Sequence, residues 1–222
     1  MLAPLNEILR NTQLLTAETL LLFTGLLCIT LAKVFDEQRF QSFLSIIFNY
    51  RYLKLYSKEK NQTQHWFNIV LFIPQLIIFS LIIREAAIYF NLAPGSNIYV
   101  IICFLFLFIL FKYYVEKIIS TIFEITEFTE SFQFHKLTYR NYSAMILLPF
   151  VAYYIFSGLP QDILIIVITG LFILLNIMCL ALTLINHQNS IARHLFYFIL
   201  YLCALEIAPY LILTNLLILD KA

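Results

Sequence analysis

Glu206 is the residue of this chain best placed to do chemistry. It stands inside an apolar run with Pro209 one turn further on. Counting about 1.5 Å per residue from an edge near His194 puts its carboxyl roughly 18 Å deep, close to the midplane of a bilayer. A charge there costs about 2.5–3.5 kcal/mol on insertion scales, so the group must face other helices, find a partner or stay protonated. Pro209 has no amide N–H, which frees the carbonyl of Leu205 and kinks the helix beside the carboxyl. The same count places Thr24, Gln75, Tyr153 and Asn176 roughly 13–18 Å from that edge, so five spans each bring a polar side chain to one layer. Such a layer can be a proton or substrate site, or a hydrogen-bonded cluster that fixes helix register. The prolines at 74, 149 and 209 suit either reading, since kinks open cavities but also occur in passive bundles.

A second constellation is acidic. Lys112, Glu116, Ser120, Glu124, Glu127 and Ser131 recur every three or four residues, a narrow polar stripe on an otherwise apolar helix. With Glu130 added, these carboxylates read as a solvated or partner-facing stripe, paired with lysines of the first loop, more readily than as an acid/base set. The four histidines, His65, His135, His187 and His194, lie at no H-E-x-x-H or E-x-x-H spacing, so no metal site is indicated and they read as polar interfacial residues. No G-x-S-x-G elbow, phosphate loop or D-x-D cluster is present, and the chain has only four glycines. That weakens ATPase, hydrolase and glycosyltransferase readings, favours a protein that is not an enzyme, and points to no cofactor. The four cysteines sit in apolar runs and read as small buried hydrophobes.

The elements that must hold these residues follow from composition. Of 222 residues, 62% are hydrophobic and 12% charged, half the charge of an average soluble domain, so the solvent is a membrane. A net charge of +1 argues against nucleic acid as a partner. Six spans are expected, over 14–34, 66–83, 98–119, 142–156, 163–185 and 195–219, the fourth relying on Tyr139 and Tyr142 as interfacial anchors. The run after Arg10 is too long for a signal peptide, so the first span should stay. Eleven of the 14 lysines and arginines fall in loops one, three and five, which the positive-inside rule puts in the cytoplasm, with both termini outside. Between 40 and 49, Phe40, Phe43, Leu44, Ile46, Ile47 and Phe48 share one side at helical spacing, which predicts a short helix lying in the membrane interface. The third span is expected to run on as a helix past the membrane, its apolar surface from Glu116 to Phe134 needing cover from the first loop, the bilayer surface or a partner.

In the last span the run Tyr201-Leu202-Cys203-Ala204-Leu205-Glu206-Ile207-Ala208-Pro209 resembles the C-terminal signature of a family of small polytopic inner-membrane proteins of the Bacteroidota, catalogued as a domain of unknown function. The segment Phe48-Asn49-Tyr50-Arg51-Tyr52 and the pair Tyr139-Arg140 ahead of Leu148-Pro149 are similar to other stretches of that family. Ala208 and Thr214-Asn215 depart from its pattern. The resemblance implies a bacterial inner membrane and draws attention to Glu206, and it supplies no activity. The expectation is an all-α polytopic bundle whose partners are the lipid bilayer and a membrane protein or second copy. Its role is that of an accessory component of an envelope assembly or, alternatively, of a small proton-coupled transporter.

Overall fold

Apolar runs set the helices, and a few polar residues set where they stop. The structure is a computed structural model that describes residues 3–46, 53, 56, 65–90, 97–122, 126–156 and 161–186; the side chains of 3–16, 127, 128, 161 and 162 lie outside that description. Helix α1 spans Ala3–Phe35 and ends at Asp36, whose carboxylate accepts from the backbone N–H of Arg39 at 3.2 Å and so caps the next helix, α2, Glu37–Leu44. Helix α3, Trp66–Tyr89, starts on a cap from His65, where Nδ1 accepts from Phe67 N–H at 3.4 Å. Asn97 plays the same part for α4, Ile98–Ile122, accepting from Tyr99 N–H at 3.2 Å. Helix α5 covers Thr126–Phe156 and α6 covers Gln161–Asn186. No strand occurs among the described residues.

Among the described residues four segments are long and apolar enough to cross a membrane: Ala17–Phe35 of α1, α3, α4, and Ile163–Asn186 of α6. The bundle is organised around α3, which packs against α1, α4, α5 and α6 and is the most deeply covered of the four. The C-terminal ends of α1, α4 and α6 and the N-terminal ends of α3 and α5 define one end of the bundle, called here the basic end; the opposite one is the far end. Outer faces stay apolar: Val100, Phe104, Leu107 and Phe111 on α4 and Ile166, Ile173 and Ile177 on α6 are exposed. That is the surface an acyl-chain solvent requires, since no polar group there has water to bond.

The expected spans are corrected in three places. The second helix runs on to Tyr89, carrying Arg84 and Glu85 with it, because both charges find partners inside the bundle. The fourth expected span, 142–156, is the latter half of α5, a helix that begins sixteen residues earlier and is not among the four candidate spans. Its anchors are interior: Tyr139 is buried and its hydroxyl accepts from Asn186 Nδ2 at 2.8 Å, while the Tyr142 ring meets Phe43 edge-on at 5.7 Å. The third helix stops at Ile122, and the chain forms a new helix from Thr126 instead of one long extension. The sixth span, 195–219, lies outside the described residues.

Helix α2 is a correction of another kind. Its apolar face was expected on the membrane surface, yet Phe40, Phe43 and Ile46 are buried against Phe67 and Leu71 of α3 and Phe134 and Tyr139 of α5. Burial against aromatic side chains of the bundle gives the ring of Phe43 fixed partners, at 6.0 Å from Phe67 and edge-on, which a fluid interface cannot offer.

Helices α1 and α3 meet at Gly25. A Cβ built on Gly25 would stand 3.7 Å from Pro74 Cβ and 3.8 Å from Pro74 Cα, so a methyl fits and a branched side chain does not. Gly25→Ala should therefore leave the unfolding midpoint nearly unchanged. Gly25→Ile should lower stability by about 1–3 kcal/mol through overpacking, as read from unfolding in detergent; an unchanged Gly25→Ile protein would show that the two helices do not touch there.

Candidate functional site

The buried apolar side chains fall into two clusters. One, towards the far end, is built from Ile77, Ile78, Leu81, Leu147, Val151 and Ile165 among others; the other, towards the basic end, from Ala32, Phe43, Phe67, Leu71, Phe134 and Tyr139. Polar residues mark the interval between them. On α3 it holds Gln75, on α5 Asn141 and Ser143, and on α6 Asn176. Gln75 is 0% exposed and Asn141 3%. Among the described residues neither amide has a hydrogen-bond partner, and an unpaired amide in an apolar interior costs about 1–3 kcal/mol or more. Arg140 crosses the same region, its guanidinium carbon 5.7 Å from the centroid of the Phe79 ring.

Of the polar residues expected in one layer, Gln75 is deep in the interior. Asn176 is half-buried and donates to the carbonyl of Phe172 at 2.8 Å, and Thr24 donates to the carbonyl of Leu20 at 2.8 Å. Both spend a donor on their own helix, as polar side chains in apolar helices commonly do. Tyr153 is 54% exposed and points away from the interior, so it does not join Gln75. Glu206 and Pro209 lie outside the described residues.

A charged site that the sequence reading did not assemble lies near the far end. Arg84, on α3, is paired through Nη1 with Glu18 of α1 and, at 3.0 Å, with Glu85 of its own helix. Tyr154 of α5 donates its hydroxyl to the other oxygen of Glu85 at 3.3 Å. By helix rise Arg84 stands roughly 27 Å from Trp66, near the far edge of a hydrocarbon core of about 30 Å. Three helices are thereby tied at one height, and the two carboxylates share one guanidinium. The signal was present in the sequence, since Glu18 and the Arg84-Glu85 pair are opposite charges at matching depth on neighbouring antiparallel spans. Below them lies a narrow crevice bordered by Leu81, Ile82, Val151 and Ile168.

At the basic end the acidic stripe is corrected. Glu116 is buried: its carboxylate accepts from Gln133 Nε2 at 2.9 Å and pairs with Lys136 Nζ at 3.4 Å. The first turns of α5 fold back along α4, and Phe132 and Phe134 are buried, while Ile118 and Ile122 of α4 stay exposed. Glu130 is exposed, Glu124 lies outside the described residues, and the side chain of Glu127 lies outside them as well. His135, expected at an interface, is buried, and His65 caps α3; among the described residues no group of three potential metal ligands comes together. Arg39 is buried too, with its guanidinium carbon 4.3 Å from the Tyr56 ring centroid and 5.6 Å from that of Phe67. Glu116→Ala should cost roughly 1–3 kcal/mol, because Gln133 and Lys136 lose their acceptor, and hydrogen exchange should quicken at the start of α5; unchanged exchange there would show that the pair does not hold the two helices.

The arrangement defines a class, a helical bundle with an apolar exterior, candidate membrane-spanning helices and an interior that holds buried polar and charged groups. Residues 19–217 match the profile of the family described as a domain of unknown function (DUF4271), and the chain belongs to that family. No curated protein and no solved structure matches it.

Proposed function

We propose that this chain is a non-enzymatic component of a bacterial inner membrane, an accessory or scaffold subunit of an envelope assembly, with its lysine-rich loops in the cytoplasm. The observation that carries the reading is how the buried charges of the described residues are used: Arg84 with Glu18 and Glu85, and Glu116 with Lys136. Arg84 and Glu18 join α3 to α1, and Glu116 and Lys136 join α4 to α5, which fixes a shape and leaves the outer faces of α4 and α6 for contacts in the plane of the membrane. The test is extraction in mild detergent followed by mass measurement. A stoichiometric companion, a different membrane protein or a second copy, supports the reading, and a lone chain in lipid nanodiscs counts against it.

A second reading, a small proton-coupled transporter using Glu206, draws support from Gln75 and Asn141, whose amides are not spent on neighbours among the described residues. Glu206→Gln separates the two. Normal abundance with lost uptake favours transport, whereas loss of folded protein makes Glu206 a residue of helix register.

A further inference from the structure

Gln75 and Asn141 occupy one interval of the interior. Gln75 follows Leu71 of the basic-end cluster and precedes Ile77 of the far-end cluster, and Asn141 follows Tyr139 of the first and precedes Ala144 of the second. Helices α3 and α5 pack together here, with Arg140 reaching the ring of Phe79, one turn along from Gln75. All four side-chain nitrogen and oxygen atoms of the two amides are buried and, among the described residues, unpartnered.

We propose that this layer is a water-binding site, a small internal cluster that bridges Gln75 and Asn141. A primary amide offers two donors and an acceptor with two lone pairs, so even two amides facing each other leave most of that capacity unused. The occupant must therefore both donate and accept. A cation is disfavoured: among the described residues no carboxylate reaches the layer, and the guanidinium of Arg140 beside it opposes one. Water meets both conditions, and buried water is ordinarily held by about three such partners. The site would sit roughly 13 Å above Trp66 by helix rise, within the bundle and apart from the ion cluster at Arg84.

Water-edited solid-state NMR on the full chain in lipid bilayers tests this, with glutamine- and asparagine-selective labelling to pick out the side-chain amides. The signals lost in Gln75→Met and Asn141→Leu should receive polarisation from water as fast as exposed amides do, well ahead of the backbone of Ile78 and Leu147. Build-up no faster than at Ile78 and Leu147 would overturn the proposal. The variants give an independent reading, because an amide held dry is a burden and its removal raises the melting temperature, whereas removal of a hydrated one lowers it. A fall of several degrees is expected for Gln75→Met, and a rise would likewise overturn the proposal.

Discussion

Replacing Arg84 with methionine is expected to lower the stability of the bundle by roughly 3–5 kcal/mol, the cost of leaving buried carboxylates without their counter-charge. The side chains of Arg84, Glu18 and Glu85 are 6%, 13% and 19% exposed, so water can do little to screen what remains. The discriminating comparison is the triple variant Glu18→Gln, Arg84→Met, Glu85→Gln. With no charge left to strand, it should recover most of the lost stability in unfolding experiments in detergent. If Arg84→Met alone unfolds like the unaltered chain, the cluster does not tie α1, α3 and α5 together.

The second large effect is expected at Phe43. Its ring is fully buried, edge-on to Phe67 of α3 and Tyr142 of α5, and it is the centre of the contact that holds α2 to the bundle. Phe43→Ala removes that ring from a site bounded by two separate helices, and a loss of about 3–5 kcal/mol is typical for such a truncation. Because α2 is only eight residues long, it cannot persist without that packing. Hydrogen exchange should therefore quicken throughout Glu37–Leu44 while α6 stays protected. Uniform loss of protection would place Phe43 in a global core, and no change would place α2 on the membrane surface after all.

These two sites also show what the sequence made visible. Depth is a one-dimensional property, and counting residues along an apolar run located Gln75 well inside the bundle. Azimuth is not visible in the same way. Lipid and protein interior are equally apolar, so α5 carries no clear stripe to say which side faces in, and Tyr153 was given the height of the layer while its ring points outward. Amphipathicity at 40–48 marked a real apolar face, but sequence alone does not distinguish a bilayer from a neighbouring helix as its cover. The stripe through Glu116 was misread for a related reason: its partners Gln133 and Lys136 come into reach only when the chain turns back after Ile122. Glu18 and Arg84 are 66 positions apart, and only a comparison of their depth along the two spans brings them together.

The central claim is that polar groups inside this bundle hold helices together and that the chain acts through its lateral surface. Its most direct test is proton flux into sealed vesicles containing only the purified chain, with a pH gradient imposed across the membrane. The account predicts that the gradient decays as slowly as in protein-free vesicles, with or without Glu206→Gln. A decay that the chain accelerates and Glu206→Gln abolishes, with the variant still folded and inserted, would contradict it.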